Sequence, residues 1–211
     1  PCYNEENTIS QVIIKVERSL LNLNIDFEII VIDDCSSDDS LNKLLDLKNQ
    51  NKIKLITHNQ NLGKGAAIAT GFKHLTGQII VIQDADLEYD PDDYKKLLLP
   101  FNEANADVVY GSRFLGGGKY VRIHFFWHYL ANKILTLLCN IIANLNLTDM
   151  ETGYKLFRYE KIKNIVIKEK SFGFFEVPIS YNGRSYKEGK KIGLKDAFIA
   201  VYCIFKYAIK N

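Results

Sequence analysis

The chain has little of what usually sorts a sequence at a glance. Its 211 residues include four cysteines, Cys2, Cys35, Cys139 and Cys203, far apart and none in a CxxC spacing. That argues against a disulfide framework and leaves the thiols as small buried apolar groups in a reducing compartment. His124 and His128 stand four apart, but Phe125 follows the first, so the HExxH zinc signature is absent. Charge of one sign is scarce too. A formal net charge of +2 gives no argument for a nucleic-acid partner. The longest uninterrupted apolar run, Ala197 to Phe205, has nine residues and is too short to span a bilayer. The opening residues carry no secretory leader pattern. The Gly63-Lys64-Gly65 turn lacks the spacing and the Ser or Thr of a P-loop. Gly63-x-Gly65-x-x-Ile68 also lacks the third glycine of a dinucleotide fingerprint.

What is present reads as a folded α/β domain. Hydrophobic residues make up 47% and charged residues 25%, which excludes disorder. Ile9, Val12, Ile13, Val16 and Leu20 follow helical spacing. Buried strands are expected at Phe27 to Ile32, Ile53 to Thr57, Gln78 to Ile82 and Asp107 to Tyr110. Helices fall between them, one bearing Leu41, Leu44 and Leu45, another from Gly63 to Leu75, and a third opening at Pro91. Strands alternating with helices predict a mostly parallel central sheet flanked by helices. Ligands bind beyond the carboxyl ends of such strands, so Asp33-Asp34, Asp84-Ala85-Asp86 and Gly111-Ser112-Arg113 are expected on one rim.

Past Gly116-Gly117-Gly118 the pattern changes. A long apolar helix is expected from about Ile123 to Asn144, carrying a polar stripe of His124, His128, Asn132, Thr136, Asn140 and Asn144. Such a helix lies on a surface or packs on the domain rather than crossing lipid. A last helix is expected near Leu194 to Ile209. The change of pattern divides the domain into residues 1–118 and residues 119–211, the latter ending in a C-terminal helical part.

Charge is segregated. Asp84 to Asp93 holds six acids and no base, whereas Arg184 to Lys195 holds five bases and one acid. An acidic cluster with a basic tail suggests a metal and a phosphate-bearing ligand. Asp84 and Asp86 after a strand, with Glu88 two further on, suit a hard divalent cation that keeps positions open for diphosphate oxygens. The same acids could instead cap the helix that follows.

Five segments then carry a resemblance, in order: Pro1-Cys2-Tyr3-Asn4-Glu5, Ile32-Asp33-Asp34-Cys35-Ser36-Ser37-Asp38, Asn61-Leu62-Gly63-Lys64-Gly65, Asp84-Ala85-Asp86-Leu87 and Gly111-Ser112-Arg113-Phe114. Thr148 to Lys155 and Val177 to Tyr186 extend it. The chain resembles the family 2 inverting glycosyltransferases of the GT-A fold, and within them the branch similar to dolichol-phosphate mannosyltransferase.

The resemblance implies roles, with residues 1–118 as the nucleotide-sugar-binding GT-A core and residues 119–211 as the acceptor-side, membrane-facing portion of the same domain. Pro1, Tyr3, Glu5 and Asp33 or Asp34 would hold the nucleotide. Lys64, Asp84 and Ala85 would meet the donor. Asp86 would bind Mg2+ or Mn2+, with Glu88 as a second ligand. Arg113, Arg184 and Lys190 or Lys191 would neutralise donor and acceptor phosphates. The implied reaction moves a hexose from a nucleotide diphosphate sugar, of GDP-mannose or UDP-glucose type, to a polyprenyl phosphate. The implied place is the cytoplasmic face of a membrane, peripherally bound. Asp149 is the candidate base if the acceptor is instead a hydroxyl of a soluble glycan or protein. A non-catalytic nucleotide-sugar-binding subunit is the remaining alternative. Two departures stand out: the family's apolar strand before the Pro-x-Tyr-Asn-Glu motif is not in this sequence, and Phe174 runs straight into Phe175, where relatives place an acidic segment and a helix. A break in the chain is expected between Lys170 and Glu176.

Overall fold

The computed structural model describes residues 1–116, 126–162, 173–183 and 194–209. Helix α1 (Ile9–Asn22) buries Ile9, Val12, Ile13 and Val16, the stripe its spacing demands. It leads to strand β1 (Ile30–Asp33), helix α2 (Ser40–Asn49), strand β2 (Lys54–Thr57) and helix α3 (Lys64–Phe72). Strand β3 (Ile79–Val81), a 3-10 turn (Pro91–Asp93), helix α4 (Tyr94–Glu103) and strand β4 (Val108–Ser112) follow. The remaining elements are helix α5 (Phe126–Ala143), strand β5 (Lys155–Arg158), the single turn α6 (Tyr159–Ile162), strand β6 (Phe174–Pro178) and helix α7 (Leu194–Ile209).

The strands form two sheets rather than the single one expected. β1 and β2 pair in parallel, while the second sheet runs β3-β5-β4-β6. Its β5 is antiparallel to both neighbours, so β3, β4 and β6 point one way and β5 against them. Sequence pattern missed β5 because only Leu156 at its centre is fully buried and charged Lys155 and Arg158 bound it.

Between β1 and β3 lies a cavity of about 620 Å³, walled by Ile9, Val12, Ile30, Ile32, Ile80 and Tyr94. It separates two core clusters, one around Ile13, Val31 and Leu44 and one around Leu97, Val109 and Leu156. Its apolar walls do not suit a diphosphate, and it touches the polar rim only near Pro1, Gln83, Asp84 and Ala85.

Phe174 and Phe175 lie inside β6, in unbroken register with Val108 and Val109. No break therefore falls between Gly173 and Glu176; residues 170–172 lie outside the described ones.

Helix α5 departs most from the expected picture. Asn132 and Thr136 of the polar stripe are buried, at 4% and 3% exposure, while Trp127 and Ile141 stand 75% and 68% exposed. The middle of its polar stripe faces the protein, whereas His128, Asn144 and much of the helix's apolar surface are exposed. The inward amides and hydroxyl find partners in the loop that follows: Asn140 exchanges bonds with Leu147, and Thr136 Oγ1 accepts from the Met150 N–H. Helix α7 packs against α5 and leaves Ile199, Tyr202 and Phe205 exposed. No helix among the described residues is long and apolar enough to cross a membrane. Residue His124 of the stripe lies outside the described residues.

Candidate functional site

The rim begins where two loops interlock. Cys2 pairs in parallel with Asp33: its N–H donates to Ile32 O at 2.8 Å, and the Asp34 N–H donates to Cys2 O at 2.9 Å. Beyond that pair, the Asn4 N–H donates to Ser36 Oγ at 3.0 Å, and the Glu5 N–H to Ser40 Oγ at 2.8 Å. The Glu6 N–H reaches Asp38 Oδ2 at 3.1 Å. Asn4 and Cys35 adopt left-handed backbone, with φ of 52° and 62°, where the two loops cross. The backbone on both sides of exposed Tyr3 is thereby fixed, leaving its ring at the surface.

Asp33 and Asp34 are buried and already engaged. Asp33 accepts from the Ser36 hydroxyl at 2.6 Å and its N–H at 3.1 Å. Asp34 accepts the N–H groups of Leu62 and Gly63 and bonds His58 Nδ1 at 2.6 Å, while His58 Nε2 lies 2.9 Å from Thr70 Oγ1. Burial opposes ionisation of Asp34, but those hydrogen bonds outweigh it and hold the carboxyl below its ordinary range. Both carboxylates shape loops. His58 was not singled out from sequence, since a lone histidine after a strand gives no signal.

The Asp34 bonds fix the turn at Gly63, whose φ of 89° suits glycine. Lys64, the first residue of α3, then places its Nζ 2.6 Å from Asp84 Oδ1. The other oxygen of Asp84 leans on Gly153, where a Cβ would lie 2.8 Å from it and 2.6 Å from the Tyr89 ring. Only glycine allows that approach. Thr8 ties the first loop to the same place, donating to Ala85 O at 2.9 Å. Lys64, Asp84 and Ala85 are thereby brought together, and Pro1 lines the same end of the cavity as Asp84 and Ala85.

Asp86 Oδ1 accepts the Glu88 N–H at 3.1 Å, and the Tyr181 hydroxyl donates to Glu88 Oε2 at 3.0 Å. The Tyr181 ring in turn lies 5.2 Å from the Arg113 guanidinium and 5.3 Å from the Tyr89 ring. Behind it, Tyr89 accepts the Gly153 N–H, and Tyr94 and Tyr154 both donate to Gln83 Oε1. This tyrosine layer, absent from the sequence reading, joins the acidic strand end to the arginine.

Arg113, at the end of β4, grips fully buried Asp149 with Nε at 2.6 Å and Nη2 at 2.7 Å, and its own N–H reaches Oδ2 at 3.1 Å. Burial disfavours the guanidinium, yet the Asp149 bonds more than compensate and push its pKa up. Lys155 nearby is the reverse case. Burial, with Lys64 adding repulsion, brings its ammonium down to about 8. Arg184, Lys190 and Lys191 lie outside the described residues.

The family model of Glycosyl transferase family 2 matches residues 1–166. The chain belongs to that family. Over 207 residues it is 27% identical to the dolichol-phosphate mannosyltransferase of Pyrococcus furiosus, covering 92% of this chain and 58% of that protein. The chain thus spans little more than half the length of that curated relative. Among solved structures it is similar to the mannosyl-3-phosphoglycerate synthase of Rubrobacter xylanophilus, at a TM-score of 0.65 and 17% identity over 99% of this chain and 70% of that one. It is also similar to a Pyrobaculum calidifontis mannosyltransferase solved with GDP-Man and Mn2+, at 0.62 and 16% over 100% and 63%. At those identities the likeness shows a shared GT-A-like α/β fold. The glycosyl transferase match covers the site segments from Pro1 to Lys155, while Tyr181 lies beyond it.

The donor set also bears on a metal. No group of three or more His, Cys, Asp or Glu side chains that would hold a cation unaided occurs among the described residues. Half-buried Asp86 and Glu88 at a strand end fit Mg2+ or Mn2+ in the mode where one or two carboxylates share the ion with substrate phosphates and water.

Proposed function

We propose that this chain transfers a hexose, with inversion, from a nucleoside diphosphate sugar to a polyprenyl phosphate. The observation that carries the reading is Tyr181, whose hydroxyl meets Glu88 and whose ring lies under Arg113. An acidic end suited to a cation-bound diphosphate and a guanidinium suited to a phosphate stand on two sides of one ring. Family membership and the similarity to a dolichol-phosphate mannosyltransferase support the same reading.

In this mechanism Tyr3 and Glu5 hold the nucleoside, and Lys64 exchanges Asp84 for donor oxygens. A divalent cation, Mg2+ or Mn2+, held by Asp86 with Glu88, would neutralise charge growing on the leaving diphosphate. Arg113 orients the acceptor phosphate, with Arg184 and Lys190 or Lys191 as further phosphate partners. An anionic phosphate oxygen attacks the anomeric carbon unaided, so no base is needed. Asp149, fully buried and held by Arg113 and Asn132, serves as the counter-ion that aims Arg113 rather than as a base.

The outward apolar face of α5, with Phe126 and Trp127 at its start and α7 beside it, supports seating on a membrane surface where a polyprenyl chain resides. We place the protein peripherally on the cytoplasmic face.

A panel of labelled nucleotide sugars with polyprenyl phosphate and Mg2+ or Mn2+ tests the proposal. Label from at least one donor should enter the organic phase. Label passing only to water-soluble acceptors would replace the polyprenyl reading.

A further inference from the structure

Glu176 sits in the middle of β6, opposite Tyr110 of β4. Its carboxylate turns toward the loop that carries Asp149. Both oxygens accept the Thr148 N–H, at 2.9 and 2.8 Å, and Oε1 also accepts the Asp149 N–H at 3.2 Å. Two successive backbone donors thus converge on one anion, a charge-assisted arrangement stronger than neutral hydrogen bonds. The loop's other ties act on neighbouring atoms: Thr148 Oγ1 meets Ser112 Oγ at 2.6 Å, and Leu147 is held by Asn140. The bonds to Glu176 orient the peptide from which the Asp149 side chain departs.

We propose that Glu176 is a positioning residue for glycosyl transfer to the acceptor phosphate at Arg113. It fixes the Thr148-Asp149 backbone, so that the Asp149 carboxylate meets Arg113 in a two-point grip and holds the guanidinium toward the acceptor. The inference rests on the polyprenyl phosphate reading. Three residues past the end of β6 at Pro178 the chain reaches Tyr181, which touches Glu88 and Arg113, so the same segment braces the acidic side and the arginine side.

The test compares wild type with Glu176→Gln, which keeps size and one acceptor oxygen, and Glu176→Ala. Three quantities are read: amide exchange at Thr148 and Asp149, affinity for the nucleoside diphosphate, and transfer with acceptor varied. In Glu176→Gln, exchange at both amides should quicken and the acceptor KM should rise about tenfold, the loss expected from one charged hydrogen bond. Nucleotide affinity should stay at the wild-type value. A merely structural role would instead weaken nucleotide binding and acceptor use together. Wild-type exchange with a wild-type acceptor KM in Glu176→Gln would overturn the inference. If wild type itself transfers to no polyprenyl phosphate, the functional reading fails, and the amide exchange still decides whether Glu176 holds the loop.

Discussion

The Asn132 side-chain amide on α5 donates to Asp149 Oδ1 at 3.2 Å and to Glu151 Oε2 at 2.9 Å. The helix whose outer surface is bare apolar side chain therefore holds, on its inner face, the anion that grips Arg113. A polar residue inside an apolar helix is costly unless paired: here the amide N–H groups pair with the site loop, and Asn132 Oδ1 accepts from Thr136 one turn along. What faces outward on α5 and what aims the arginine are two sides of one element.

Asp86→Asn should leave thermal stability near wild type, because the side chain is half-buried and retains an oxygen for the Glu88 N–H. Transfer that depends on Mg2+ or Mn2+ should disappear, and EDTA should reproduce the loss in wild type. Near-normal metal-dependent turnover with an intact melting transition would remove Asp86 from the metal site.

Arg113→Ala leaves buried Asp149 without its main partner, a loss of about 3–5 kcal/mol when a buried ion pair is broken. Thermal melting should register it. Arg113→Lys restores the charge but not the two-pronged grip, so it should melt between the two and still transfer poorly. Wild-type transfer by the lysine variant would show that charge alone suffices.

Replacing outward Ile134 and Ile141 of α5 with aspartate should change stability little, within about 0.5 kcal/mol each, as for surface positions generally. Flotation with anionic liposomes should fall sharply. Unchanged flotation would move the membrane contact away from this face.

Lys155 provides a pH signature. Its pKa is brought down to about 8 in the fold, so between about 8 and the ordinary lysine value near 10.4 the unfolded chain binds more protons than the folded one. Stability from this group therefore rises with pH across that window, and the penalty is complete below it. The melting temperature of Lys155→Met relative to wild type should fall as pH climbs from 8 to 10. A constant difference across that range would mean that Lys155 titrates normally.

Much of the rim was legible in sequence because each polar cluster follows a short apolar strand. Asp84 and Arg113, which follow β3 and β4, are the clearest cases. Charge at a strand end and helical spacing are local signals. The rest depends on partners far along the chain. Glu176 reaches Thr148 across 28 residues, and Tyr181 reaches Glu88 across 93. The inverted burial of α5 was hidden for the same reason: periodicity finds a polar stripe but does not tell which side the protein lies on. Asp33 and Asp34 were found, yet only their bonds to Ser36, His58 and the Leu62-Gly63 turn reveal carboxylates occupied in building loops.

The most direct measurement is a competition. Wild type receives one labelled nucleotide sugar, Mn2+, vesicle-borne polyprenyl phosphate and an excess of water-soluble hydroxyl acceptors, and the product is partitioned between organic and aqueous phases. Label should enter the organic phase, as a phosphate-linked sugar of inverted anomeric configuration, and this product should be lost in Asp86→Asn. Label confined to the aqueous phase, or retained configuration, would contradict inverting transfer to a polyprenyl phosphate.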